Sequence, residues 1–469
     1  MSELIFKNTL KNVFYVIGAQ CIVLIISIIR SLILPVFFSV ESYGYWQIYL
    51  FYSAYVGIFA LGFNDGIYLR YGDNNYSALP FAKLRTSIRI FSLMSLAFSI
   101  ITAILVVSLC TDKDLRFAFL FSAMNIFILG LTGIFTYILQ ITNQLKKYSF
   151  FSIADKILVI ITVLLMFVIN SNNYKIIIVI DFLAKAIILS LMIFQCKELW
   201  IGENSNMKIA LKEFKSNISV GIKLLIANLM GMLIIGIGRF IIQIFGNIQD
   251  FASYSFGITI TGLVLTAITA FSLVLYPTIK RLDINNYHTY FKNINSFIVA
   301  FNFIVLLLYF PAYFGVNAFY TKYSDLLPYL NLLFIITILQ GKMSILNNTF
   351  YKVLRKEKEM LSANISSVVL FIVISPILFY LTKSIWSIAF STFITMMYRC
   401  YVSEKYLKNF IRIKLDHRYF VEIFFIILFL TTTTFFNIFI AFFIYLFFLM
   451  FWILINRSEL ADLVKTIRS

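Results

Sequence analysis

The sequence predicts an all-α integral membrane protein of about fourteen transmembrane helices, in two pseudo-symmetric lobes around a central cavity. Composition is the first reason. Of 469 residues, 61% are hydrophobic and only 13% charged, and mean hydropathy is +0.91. A soluble domain is nearer roughly 45–50% apolar and about 25% charged. Run length is the second: a helix rising about 1.5 Å per residue needs about 20 apolar residues to cross a hydrocarbon core of about 30 Å. The third is that basic residues fall in alternate gaps between the apolar runs, as the excess of Lys and Arg in cytoplasmic loops requires.

The predicted spans are 13–38, 44–67, 87–110, 115–143, 150–170, 174–196, 218–246, 251–276, 294–313, 326–350, 361–382, 385–403, 419–435 and 437–455. The last two divide a stretch too long for one helix, with Thr431–Thr434 and Asn437 as its turn signal. Basic gaps hold Lys7 and Lys11, Arg70 to Arg89, Lys146 and Lys147, Lys197 to Lys215, Lys280 to Lys292, Lys352 to Lys358, Arg399 to Arg418, and the tail after Arg457. The intervening gaps hold only Lys113, Arg116, Lys175, Lys322 and Lys383. This pattern puts both termini in the cytoplasm and makes the outer loops short. The first span reads as an uncleaved membrane helix, since its apolar run is longer than a signal-peptide core.

Residues 197–217 are polar and of mixed charge. They read as a linker, with the capacity for an interfacial amphipathic helix, between an N-terminal lobe (1–196) and a C-terminal lobe (218–408). Residues 409–469 would add a helix pair and a cytoplasmic tail. A weak internal echo supports duplication: Arg30 precedes Glu41 and Tyr45 much as Arg239 precedes Asp250 and Tyr254. Transporters built from repeats carry their substrate site between lobes at mid-membrane.

Several function classes are excluded or disfavoured. The net charge of +18 is spread over short loops, where topology and anionic headgroups account for it, so nucleic acid is not a partner. The four cysteines, Cys21, Cys110, Cys196 and Cys400, form no C-x-x-C pair and support neither a disulfide framework nor a metal site. No nucleotide-binding, serine-hydrolase or zinc-protease motif is present. His288 and His417 fall in loops, so the chain does not read as an enzyme and calls for no cofactor.

The stretch Leu34-Pro35, Tyr43-Gly44 and Gly62-Phe63-Asn64-Asp65-Gly66 resembles the opening of Wzx-type bacterial polysaccharide flippases. These belong to the multidrug/oligosaccharidyl-lipid/polysaccharide (MOP) superfamily, with the MATE and MurJ proteins. Gly238-Arg239-Phe240-Ile241-Ile242, Tyr254-Ser255 and the segment 347–356 are also similar, and the resemblance runs from residue 1 to about 408. The sequence departs from it in its added final helix pair and in Tyr71-Gly72-Asp73 after the second span. The resemblance implies a multi-pass protein of the bacterial cytoplasmic membrane, and one cavity between lobes per chain makes a monomer the expected working unit. Its cargo would be an undecaprenyl-pyrophosphate-linked oligosaccharide for O-antigen or capsule. Membrane lipids, a polysaccharide polymerase and a chain-length regulator would be its partners.

Charges inside spans are the candidate site residues, because each is costly when it faces lipid. Arg30, Arg239 and Lys342 would line a path for the pyrophosphate, since a guanidinium fork matches phosphate oxygens and keeps its charge. The alternative for the arginines is snorkelling to outer headgroups. Asp181 and Lys185 share a helix face; they form either a neutral pair or the seat of a coupling H+ or Na+. Asn64 and Asp65 serve either a structural turn or a gate. Pro35 and Pro376 are hinge candidates and Pro311 a helix breaker. Tyr43, Tyr45, Trp46 and Tyr49 read as an interfacial belt, with sugar stacking as the alternative. Rival readings are a lipid II flippase, which the helix count favours, and a drug/cation antiporter, which would want acidic residues in its cavity. An integral-membrane enzyme would need a catalytic outer loop.

Overall fold

The predicted apolar stretches all fold as helix, because a backbone in hydrocarbon must satisfy its own N–H and C=O groups. The computed structural model describes residues 2–72, 74–169, 172–280, 287–413 and 418–457; Asp73, Arg281, His417 and the tail after Arg457 lie outside them. The helices are α1 (Ser2–Phe37), α2 (Val40–Tyr55), α3 (Phe63–Tyr71), α4 (Phe81–Leu109), α5 (Lys113–Ile141), α6 (Leu145–Ile169), α7 (Tyr174–Gln195), α8 (Met207–Phe245) and α9 (Ile248–Lys280). They continue with α10 (Tyr287–Leu306), α11 (Tyr309–Phe319), α12 (Leu327–Lys342), α13 (Asn348–Val353), α14 (Glu357–Thr382), α15 (Ile385–Ile411), α16 (Arg418–Phe435) and α17 (Ile438–Ile455).

Among the described residues, nine helical stretches are long and apolar enough to cross a membrane. A tenth is added if Val40–Ala60 and Phe63–Tyr71, bent by 62°, form one broken span. Cys21–Phe37 and Tyr419–Phe435 are apolar but shorter. Helix α15 is diluted by serines, threonines and Arg399.

The chain divides into two units, Met1–Leu229 and Met230–Ser469, and the boundary falls inside α8. In the first unit, α1 packs on α6, α4 on α5, and α5 on α2 and α7. Phe63, Phe91, Ile134, Phe135 and Ile138 form its core. The bend after α2 comes from Leu61 and Gly62, both with positive φ (51° and 83°). A Cβ on Gly62 or Gly66 would strike the backbone of Gly221 or Asn217, and one on Gly221 would strike Gly62. Glycines spaced by four thus let α3 cross the first half of α8 at backbone contact.

Residues 197–217 are bound tightly to the first unit and do not form a separate interfacial helix. Arg70 holds Glu213 (2.5 Å) and Asn217 (2.5 Å), and Tyr71 donates to Glu213 (2.7 Å). Arg85 donates to the carbonyls of Glu198 and Glu203. Arg89 reaches Asn204 (2.9 Å) and the Trp200 carbonyl (2.8 Å). The sequence from Met207 onward continues as α8, because no breaker separates its polar start from its apolar run.

In the second unit, α12 packs against α9 and α15, and α15 against α14. A π-helical stretch, Met343–Asn347, joins α12 to α13. Helices α16 and α17 turn at Asn437, whose side chain caps α17 by accepting from Phe439 N (3.0 Å); Thr431–Thr434 remain helical. The pair docks by aromatic packing, with Phe425 stacked on Phe303 at 4.1 Å. Tyr445 donates to the Phe303 carbonyl (3.0 Å), and Asn331 to Thr433 (3.1 Å). Pro35 lies near the end of α1, Pro311 in the first turn of α11 and Pro376 within α14.

The aromatic belt expected at Tyr43, Trp46 and Tyr49 is corrected. These side chains are 1%, 1% and 0% exposed, because one face of α2 is turned into the first unit. Only Tyr45 is partly exposed, and it stacks on Tyr174 at 5.1 Å.

Candidate functional site: charges inside the two units

In the first unit the charged centre lies on α2, α5 and α7. Asp181 pairs with Lys185 one turn on and accepts from the Tyr49 hydroxyl (2.6 Å). Tyr49 in turn accepts from Lys185 (3.1 Å) and Asn125 (3.0 Å), and Asn125 also donates to Ser53 (2.9 Å). Tyr49 supplies the bond that a buried carboxylate needs beyond its counter-ion, and Asn125 holds Tyr49 in place. In the sequence Tyr49 reads only as an aromatic of the interface, and nothing marks Asn125. Arg30 is half-buried and makes no hydrogen bond or ion pair among the described residues; its charge acts at longer range on Tyr49 and Asp181.

Beside this centre a cavity of 260 Å³ is lined by Thr132, Thr136, Ser152, Asp155, Lys156 and Lys185, among others. Asp155 and Lys156 pair at 2.6 Å within α6. Both sit early in the apolar run 150–170, which masks them in the sequence. Asn64 and Asp65 open α3. Asn64 donates to the Gly130 carbonyl of α5 (3.0 Å), and Asp65 is buried in the first turn of its helix, where the dipole favours a carboxylate.

In the second unit the candidates part company. Arg239 donates twice to Ser255 Oγ (3.1 and 2.9 Å), with Phe251 5.2 Å from its guanidinium. Lys342 was expected to line an anion path, but it is enclosed. It is 1% exposed, between Glu404 and Glu422 at 2.5 Å each. Glu404 also binds Lys408 at 3.0 Å. These two lysines and two glutamates sum to zero charge, and Glu422 Oε1 is left without a partner.

Helix α15 carries its polar face inward. Ser387, Ser391, Thr395, Arg399 and Ser403 recur every fourth residue, and all are buried, as are Glu404 and Lys408. The sequence predicts that this span ends at 403 and counts Arg399 with a basic gap. Instead α15 runs to Ile411, and Arg399 sits 1% exposed near its middle. Its Nε donates to Asn364 Oδ1 (2.8 Å) and Nη1 to Gln340 Oε1 (3.2 Å). Gln340 and Thr392 line a cavity of 50 Å³ together with Tyr254, Thr261 and Thr337. Among the described residues no group of His, Cys, Asp and Glu could hold a metal ion.

Solved structures show the same fold. The chain is similar to the lipid II flippase MurJ in its inward closed conformation, with a TM-score of 0.65 and 16% identity over 96% of this chain and 100% of that one. It is also similar to a multidrug resistance MATE family transporter of the MOP superfamily, inward-facing, with a TM-score of 0.64 and 14% identity over 85% and 98%. An outward-facing structure of such a transporter matches at a TM-score of 0.53 and 12% identity over 86% and 96%. No protein-family model and no curated protein sequence matches the chain. At these identities the likeness establishes the fold, an all-helical membrane protein of the MurJ and MATE type.

Proposed function

We propose that this protein moves an undecaprenyl-pyrophosphate-linked oligosaccharide from the cytoplasmic to the outer leaflet, by alternating access, for surface polysaccharide synthesis. The observation that carries the reading is the sign of the charge left over inside the spans. The acids inside the spans have cations beside them: Asp155 has Lys156, Asp181 has Lys185, and Glu404 and Glu422 have Lys342 and Lys408. Asp65 is the exception, and it lies at a helix N-terminus. Arg30 and Arg399, by contrast, take part in no ion pair among the described residues. A surplus of fixed positive charge suits a diphosphate, whose passage through hydrocarbon needs cationic company. A drug/cation antiporter would want the opposite surplus.

On this reading Arg30 and Arg239 meet the diphosphate, and Asp181 with Lys185 is the seat of any coupling ion. Lipid II is the second reading of the cargo. It is favoured because the likeness to the MurJ flippase spans 96% of this chain and so extends into its final helix pair.

Deleting the gene and analysing surface glycan and the lipid-linked pool tests the proposal. Loss of one surface polysaccharide, with its lipid-linked repeat unit accumulating, is the expected result. An unchanged pool with altered drug or cation tolerance overturns it. In the complemented strain, Arg239→Ala should lower surface glycan at matched expression and Arg239→Lys should restore part of it. Wild-type glycan from both variants would remove Arg239 from the path.

A further inference from the structure

Arg399 is a buried charge without a counter-ion. It is 1% exposed, and among the described residues its hydrogen-bond partners are two neutral amide oxygens, on Asn364 and Gln340. The nearest acid along its own helix, Glu404, is already shared between Lys342 and Lys408. A guanidinium does not give up its proton in a protein, and an ion taken out of water without a partner costs several kcal/mol. Asn364 and Gln340 orient the fork without neutralising it.

Three further features bear on the free N–H groups of that fork. Its Nη2 end faces α8 at Gly231, where a Cβ would lie 3.6 Å from the nitrogen and where the helix offers no side chain. One turn back on the same face of α15, Thr395 is fully buried and its hydroxyl has no partner. The Gln340 side chain that accepts from Arg399 also lines the 50 Å³ cavity with Tyr254, Thr337 and Thr392. A single water needs about 10–15 Å³ of such space, so this cavity has room for a group several times that size; Tyr254, Thr261, Thr337, Thr392 and Gln340 bring polar atoms to an otherwise apolar wall.

We propose that Arg399 is the anchor of a phosphoryl-oxyanion site, with the Thr395 hydroxyl as a second donor and Gln340 and Asn364 as the groups that aim the guanidinium. Nη1 and Nη2 keep N–H groups for parallel bonds to two oxygens of one phosphoryl group, the geometry at which arginine is strongest. The site deepens the transport reading, which supplies one source of the anion, a lipid-linked diphosphate. Free phosphate or pyrophosphate is the other source. The anion site itself stands on the uncompensated charge and not on that reading.

The test is calorimetric titration of the full-length protein in lipid nanodiscs with inorganic pyrophosphate and, separately, with a short prenyl diphosphate. Wild type should bind at least one of them saturably. Tighter binding of the prenyl diphosphate assigns the site to a lipid headgroup, and equal binding assigns it to a free anion. Arg399→Gln should weaken binding by about tenfold or more, as losing charge-assisted bonds does. Asn364→Asp guards against a variant that merely fails to fold. It places a carboxylate beside Arg399, so it should raise the melting temperature and abolish anion binding together. Wild-type protein that binds neither anion overturns the proposal, as does an Asn364→Asp protein that binds like wild type. Loss of glycan in the gene deletion without anion binding here would leave transport standing and remove this site.

Discussion

Lys342 and Arg399 are both 1% exposed in the same unit, and α15 supplies partners to one and carries the other. Lys342 has two carboxylates within 2.5 Å. Arg399 has two amides and an end that faces a glycine. Burial is equal, so burial does not distinguish a structural charge from one that awaits a ligand. Compensation does. A lysine held by two glutamates belongs to the unit's own architecture and fastens α16 to α12. A guanidinium that no acid answers leaves room for an anion from outside.

Removing the charge at each site should break this comparison open. Lys342→Met strands two glutamates beside one remaining lysine, and breaking a buried pair from one side costs about 3–5 kcal/mol. The expected outcome is a large fall in the unfolding temperature in detergent. The double variant Lys342→Met/Glu422→Gln should recover most of it, because Glu404 and Lys408 remain paired. A Lys342→Met protein as stable as wild type would mean that the four charges are not coupled.

Asp181→Asn extends the comparison to the first unit. Lys185 keeps its bond to the Tyr49 hydroxyl and its side chain is 14% exposed, so water relieves part of the loss. The expected cost is about 1–3 kcal/mol, as for one lost charged hydrogen bond. If Asp181 also seats a coupling ion, transport in this variant should no longer respond to the ion gradient; a retained response would make the pair purely structural.

The smallest stability effect belongs to Arg399→Met. It gives up two hydrogen bonds of about 1 kcal/mol each but removes an unanswered buried charge, so the two terms nearly cancel in anion-free buffer. A loss as large as that of Lys342→Met would show a hidden counter-ion and end the contrast.

Much of the fold was legible in the sequence because hydropathy is a local property. The apolar runs are helices, and Gly62 and Gly66 mark a close helix crossing. What failed did so where the answer lies far away in the chain. Lys342 looked like an open cation because Glu422 is 80 residues off. Tyr49 looked interfacial because Asp181, its partner, is 132 residues off. Arg399 counts with a basic gap in the sequence because it lies near the end of the span predicted over 385–403, and only packing shows that Asn364 and Gln340 receive it. One signal was available and missed: the polar stripe Ser387, Ser391, Thr395, Arg399 and Ser403 has the four-residue spacing of a single helix face, which places Arg399 inside a longer helix.

The most direct test of the account is to reconstitute the purified protein in proteoliposomes and measure transbilayer movement of an undecaprenyl-diphosphate-linked oligosaccharide. The account predicts protein-dependent translocation that falls sharply in Arg30→Gln and Arg399→Gln while both variants stay folded. Translocation no faster than in protein-free vesicles, or equal in wild type and both variants, would contradict it.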